Sequence, residues 1–158
     1  MKLSTTSATL LAQLGTVSRV ASTRSAVQAL SGVQVLAQDG RAELRATDME
    51  VGLRVPFDAE IEREGVAVLP ARLLLDVARA LPSGAATLEL RPSEGDVEIV
   101  SGSATFHIRT LRAEDFPPFP EPGGDQVVRV PTKAFVETAA KVARSASRDE
   151  TRPILTGI

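Results

Sequence analysis

The sequence predicts an α+β fold: two helices packed on antiparallel sheets, built from a unit that the chain repeats about a pseudo-twofold. Three observations carry that prediction. Apolar and polar residues alternate in short runs bounded by glycine- and proline-containing turns, which is the period of β-strands. Helical periodicity, with apolar residues three and four apart, is confined to residues 7–21, 71–81 and 132–147. The chain also resembles itself. A shift of 125 residues sets Leu10 on Phe135, Leu14 on Ala139, Val17 on Val142 and Arg19 on Arg144. A shift of 61 sets Pro70 on Pro131, Arg72 on Lys133 and Leu75 on Val136. The closing stretch TRPILTGI likewise echoes TRSAVQALSGV, which begins at Thr23. One unit of strand, helix and several strands therefore starts three times, and the third copy stops after one further strand.

Residues 1–6 read as a short strand, and Ser7 as the cap of a helix that buries Leu10, Leu14, Val17 and Ala21. At about 100° per residue, Arg19 lies opposite that stripe. The runs VQVLAQ and RAELRAT flank Asp39-Gly40, a hairpin signal because a two-residue turn needs positive φ. A second turn at TDME leads into a strand that faces inward with Val51, Leu53, Val55 and Phe57. Gly65 opens the strand GVAVLP, and Pro70 stands at a helix start, where its missing N–H does no harm. That helix buries Leu74, Val77, Ala78 and Leu81 and turns Arg72, Asp76 and Arg79 outward. ATLELR, DVEIVS and ATFHIRT follow as strands, with turns at PSEG and SGS. Residues 113–125 are too rich in proline for regular structure and read as a linker. Beyond it come a strand, QVVRVP, and a helix that buries Phe135, Ala139, Val142 and Ala146, with Lys133 and Arg144 opposite.

Composition supplies a core and excludes several chemistries. Apolar residues make up 43% of the 158, ordinary for a globular protein. Without cysteine there is neither a disulfide framework nor a thiolate zinc site, which suits a reducing compartment. No apolar run reaches membrane-spanning length, and the N-terminus MKLSTTSATLLAQLG lacks the apolar core of a signal peptide. A cytoplasmic protein is expected. There is no P-loop and no dinucleotide fingerprint. His107, the single histidine, shares a strand face with Thr105 and Arg109 and reads as solvent-facing rather than as a general base. The acidic run DAEIEREG reads as a solvated strand end, since nothing in it sets a metal's coordination geometry. No catalytic residue, metal or cofactor is expected.

The formal net charge is −2, but the basic residues are gathered. The helical segments and their flanks hold Arg19, Arg24, Arg72, Arg79, Lys133, Lys141, Arg144 and Arg148 against only Asp76 and Glu137. Helices with matched basic faces, set side by side, form a positive surface that suits a phosphate backbone. Such a surface does not read sequence, because base readout needs side chains presented into a groove. It does not suit single strands either. Trp and Tyr are absent, and the five Phe are expected in the core or the linker, so stacking platforms are scarce. Sequence-independent contact with duplex DNA fits best, through Arg19, Arg24, Arg72, Arg79, Lys133, Arg144 and Arg148. The competing class is a non-ring α+β protein- or peptide-binding module whose basic faces are merely solvated. A small hydrolase is disfavoured by the missing nucleophile–base pair.

The stretches VASTR, ALSGV, ATDMEVGL, LPARLLLDVARALP and RAEDFPPFP, taken in this order, resemble the bacterial DNA polymerase III beta subunit, the sliding-clamp family. The resemblance runs through essentially the whole chain. It implies the DNA-clamp fold, with a complete first domain at 1–120 and a linker plus truncated start of a second domain at 121–158, and so a fragment of a longer protein. It implies a non-catalytic processivity factor that closes as a homodimeric ring around duplex DNA and tethers the replicative polymerase. Arg24 matches a DNA-touching loop arginine, and Arg72 and Arg79 match basic residues lining the hole. Leu73, Phe106 and Ile108 match the subunit interface, which pairs head to tail with the partner. Arg152 and Leu155 match part of the cleft that takes short peptides from polymerases and the clamp loader. Two departures stand out. Where the family has a proline-containing turn, this chain has Ser25-Ala26-Val27-Gln28-Ala29, and positions 103 and 105, often basic in the family, are Ser103 and Thr105.

Overall fold

A computed structural model describes residues 1–22, 27–119, 127–149 and 151–158. The chain divides into two units, Met1–Phe119 and Pro120–Ile158. The first runs β1 (Lys2–Thr6), α1 (Ser7–Val17), β2 (Gly32–Gln38), β3 (Arg41–Thr47), β4 (Gly52–Phe57), β5 (Glu60–Arg63), β6 (Gly65–Pro70), α2 (Ala71–Ala80), β7 (Ala85–Arg91), β8 (Asp96–Ser101) and β9 (Ala104–Arg109). Short 3-10 turns occupy Gln28–Ser31 and Ala113–Asp115. The strands form two antiparallel sheets, ordered β5-β1-β7-β8-β9 and β4-β3-β2-β6.

The internal repeat is expressed in this topology. Each half supplies a leading strand, a helix and a three-strand meander: β1-α1-β2-β3-β4 and β6-α2-β7-β8-β9. Each leading strand leaves its own meander and pairs with the first strand of the other, β1 with β7 and β6 with β2. The exchange is reciprocal, as a pseudo-twofold requires, and among the described strands of the first unit β5 alone lacks a counterpart. The helices pack on one another, α1 also against β3 and β4 and α2 also against β6 and β9. The main core takes Leu3 from β1, Leu10 and Leu14 from α1, Val35 and Leu44 from one sheet, Leu74 from α2, and Leu88 and Ile99 from the other sheet. Burying each such side chain contributes about 1.5–3 kcal/mol.

Local chemistry shifts several boundaries. The cap of α1 is Thr6, whose Oγ1 accepts the Thr9 N–H at 3.0 Å. Ser7 is instead the first helical residue, its N–H donating to the Gly84 carbonyl at 2.8 Å. The helix stops at Val17 rather than at residue 21. There the Arg19 N–H turns to the Thr16 carbonyl and the Val20 N–H to that of Val17, three-residue bonds that tighten a last turn. Gly15 and Thr16, both weak helix formers, occupy that turn. At the next hairpin, Asp39 and Gly40 both take positive φ, 52° and 70°, which matches the right-handed strand twist. Val51 lies outside β4 and is 55% exposed. The turn captures it: Asp48 Oδ1 accepts the N–H groups of Glu50 and Val51 at 3.0 and 2.8 Å. The acidic run contains a strand, β5, set against β1 with Leu3 opposite Ile61 and Lys2 Nζ 2.8 Å from Glu62.

The described part of the proline-rich segment, up to residue 119, docks on the four-stranded sheet. The Leu111 N–H donates to the Val68 carbonyl at 2.8 Å, bridging to β6. Phe116 is buried with Ala29 and Val68, and its ring stacks on Phe119 at 6.2 Å. The Phe119 ring in turn meets the guanidinium groups of Arg45 and Arg54 at 5.8 and 5.2 Å. Residues 111–119 are thus a strap across the four-stranded sheet. Prolines forbid helix and ladder here, but they do not forbid docking through aromatic side chains.

The second unit contains α3 (Thr132–Val142) and 3-10 turns at Ala143–Ser145 and Pro153–Leu155. Thr132 lies 125 residues after Ser7 and 61 after Ala71, so the three helix starts keep the repeat spacing. Neither strand expected in this unit forms among its described residues: Val127–Pro131 has no ladder, and Pro153–Leu155 is a turn. A strand needs a ladder of a neighbour's N–H and C=O groups, and among the described residues of the unit the Ser147 N–H reaches the Leu155 carbonyl at 2.7 Å without forming one. Nor does α3 bury its apolar stripe. Phe135 is 60% exposed, and Val136 and Val142 are exposed with it.

Candidate nucleic-acid face and pairing edge

Arg72 and Arg79 stand on the exposed face of α2, opposite Leu74, Val77 and Ala78. Seven residues, or about 10.5 Å of helix, separate them. Arg79 Nη1 lies 3.1 Å from Asp76 Oδ1 in an exposed pair. Such pairs are weak, so this guanidinium can exchange a carboxylate for a phosphate at little cost. The expected match between helices does not extend to α1, whose sequence SATLLAQLGTV has no charged residue. Arg19 is exposed but lies in the turn beyond the helix, because the helix ends at Val17. Arg24 lies outside the described residues. In the second unit Lys133, Arg144 and Arg148 are exposed, with Lys133 Nζ 4.0 Å from Glu137. The charge expected as one surface over three helices is concentrated, within the first unit, on α2.

The two sheets end in four edge strands, and three of them are blunted. β5 is four residues long and bears Glu60, Glu62 and Arg63. β4 carries Pro56, which has no N–H to donate. β6 is partly covered where Val68 accepts from Leu111. β9 has six residues, no proline and no lysine, and among the described residues pairs only with β8. It is the edge best suited to receiving another strand. Phe106 sits on it half-buried against the core. Leu73, 48% exposed, is on the helix that packs against it. Ile108 is different from these two: at 1% exposure it belongs to the core and offers no surface to a partner. Strand alternation sends it inward with Val97 and Ile99 of β8.

The outward face of this sheet carries a charged row in register: Arg63, Lys2, Glu89, Glu98 and His107. Glu89 and Glu98, directly opposed, are each offset by a cation. Arg63 Nη2 lies 2.8 Å from Glu89 and Arg91 Nη1 3.3 Å from Glu98. Arg91 also grips Asp96 through two bonds, Nε to Oδ1 at 2.9 Å and Nη2 to Oδ2 at 2.7 Å. That grip holds the Asp96 carboxyl below the usual carboxylate range against the opposing effect of burial. Sequence reasoning placed His107 on the outward face with Thr105 and Arg109 but missed this cluster, because only strand register brings β7, β8 and β9 side chains together.

Arg152 and Leu155 are exposed at the 3-10 turn of the second unit, where the Leu155 N–H donates to the Arg152 carbonyl at 2.9 Å. The shallow hollow beside them is lined by Ser147, Arg148, Pro153 and Thr156, so neither expected cleft residue lines it. Among the described residues, no helix is long and apolar enough to cross a membrane.

A two-sheet domain with paired helices is a fold that this chain shares with solved sliding clamps. The structure of a putative DNA polymerase III beta subunit from Eubacterium rectale matches 99% of this chain at a TM-score of 0.93 and 26% identity, over 43% of its own length. The sliding clamp of Bacillus subtilis matches 99% at a TM-score of 0.92 and 25% identity. The family described as DNA polymerase III beta subunit, N-terminal domain, matches residues 1–120, and the chain belongs to it. Beta sliding clamps of Streptomyces coelicolor and Synechocystis are 36% and 35% identical over 82% and 100% of this chain. The chain spans 34% and 42% of the length of these curated relatives.

Proposed function

We propose that this chain supplies the first domain, and the opening of the second, to a ring that encircles duplex DNA and tethers the replicative polymerase. The ring is a non-catalytic processivity factor acting in the cytoplasm. The observation that carries the reading is the exchanged-repeat fold, shared with solved clamps over 99% of the chain. The physical logic is topological. A closed ring leaves DNA only by opening or by sliding off an end, so its phosphate contacts need only be weak and salt-sensitive. Arg72 and Arg79 supply such contacts from α2, with Arg24 and the basic residues of the second unit adding to them. Leu73 and Phe106 belong to the subunit edge at β9, with Ile108 supporting it from the core. Arg152 and Leu155 join the cleft for short peptides of the polymerase and clamp loader, a role that rests on family resemblance alone.

In a ring assembled from full-length protein, replacing Arg72 and Arg79 by Glu is expected to shorten primer-extension products and to leave the melting temperature nearly unchanged, since both sites are exposed. Unchanged processivity at physiological salt would overturn the hole-lining assignment. The uncovered β9 edge also suits a module that captures an extended peptide without forming a ring. Sedimentation of the full-length protein separates the two readings, because only the ring requires a dimer.

A further inference from the structure

The His107 cluster is not used by DNA encirclement, and its geometry constrains its protonation. Arg91 Nη2 lies 2.7 Å from His107 Nδ1. Arginine is always a donor, so Nδ1 is the acceptor and the proton of the neutral ring sits on Nε2. That nitrogen faces Glu98 Oε1 at 3.9 Å. Protonating the ring puts a hydrogen on Nδ1, directly against a guanidinium nitrogen, and the contact cannot persist. The nearest alternative acceptor is Asp96 Oδ2, 3.6 Å from Nδ1. Asp96 stays ionised near neutral pH, because Arg91 holds its carboxyl below the usual range.

The surrounding charges come from every neighbouring element on this face. They are Arg91 and Glu89 on β7, Asp96 and Glu98 on β8, and Arg109 on β9 beside Asp96. Glu94, in the turn between β7 and β8, acts on Arg91. The helix α2 packs against β9 as well, on the side of the core.

We propose that His107 is a proton switch on the outward face of the β9 edge: neutral, it accepts a hydrogen bond from Arg91; protonated, it releases Arg91 and turns to Asp96 and Glu98. The edge then carries one more positive charge at its middle rung. What β9 presents to a pairing strand changes with pH; that consequence rests on the ring reading, whereas the switch itself does not.

The test is side-chain NMR of the uniformly labelled 158-residue chain, whose single histidine makes assignment direct. Above the titration, the ring nitrogens are expected to report the Nε2–H tautomer. The Arg91 guanidinium signals are expected to shift with the same midpoint as the ring. In His107→Gln, whose amide oxygen accepts from Arg91 without titrating, those signals become flat with pH. A mixed or Nδ1–H tautomer in the unsubstituted chain would overturn the proposal, and so would Arg91 signals indifferent to ring protonation. The tautomer measurement needs no variant, so a misfolded substitution does not rescue the idea. Sedimentation of the full-length protein over the same pH range reads subunit pairing separately, so failure of the ring reading is not mistaken for failure of the switch.

Discussion

Gly40 and Asp96 show how single residues set local stability. Gly40 holds φ at 70°, with open space where a Cβ would be. Its replacement by Ala therefore costs backbone strain without a clash, about 1–2 kcal/mol, and the urea midpoint should fall accordingly with an unchanged slope. Asp96 acts through charge. Its folded-state pKa is depressed, first by the hydrogen bond from Arg91. A depressed carboxylate contributes stability that is present above its unfolded value, near pH 3.9, and lost as pH falls through the folded one. Asp96→Asn should therefore be less stable than the native chain at neutral pH. The gap should close as urea titrations are repeated below about pH 4. A gap that is constant with pH would mean that Asp96 is held by shape and not by charge.

At the scale of elements, the strap joins parts of the sequence that no local rule connects. A Cβ on Gly52 would lie 2.9 Å from Cε1 of Phe119. Gly52→Ala must push that ring from its place against Arg45 and Arg54, at a cost of about 1–3 kcal/mol. In a Phe119→Ala background the same substitution should cost little, since nothing is left to displace. The double-mutant cycle should therefore show a coupling energy within the range of about 0.5–3 kcal/mol found for residues in contact. Additive costs would mean that the ring does not rest there. Phe116 tests the same element from its buried end: at 7% exposure, truncation to Ala should cost about 3 kcal/mol.

On the scale of the whole molecule, the two units differ in what they can bury. Four residues of α2, Ala71, Leu74, Val77 and Ala78, are buried, whereas none of α3 is. An isolated helix shorter than about 12–15 residues is marginal in water, and α3 has 11. Hydrogen exchange on the 158-residue chain should give amides of Ala71–Ala80 protection close to that of global unfolding. Those of Thr132–Val142 should exchange much faster. Equal protection in a proven monomer would show that α3 finds its core within this chain.

The sequence by itself determined the local features: the strand period, the Asp39-Gly40 hairpin, the apolar stripes of Leu10, Leu14 and Val17 and of Leu74, Val77 and Ala78, and the spacing of helix starts. Each depends on residues a few positions apart, where side-chain period and turn chemistry act directly. Only the tertiary structure decided that the leading strands exchange sheets, as where Ser4 and Thr87 meet at 3.0 Å across 83 residues. It also decided that Glu-Ile-Glu-Arg becomes a strand beside β1, that Phe119 docks on two arginines, and that Arg91 meets His107. α3 makes the same point from the other side: its stripe was legible in Phe135 and Val142, but its burial was not. Burial and strand pairing belong to the partner as much as to the segment, and a segment's own residues do not say whether the partner is there.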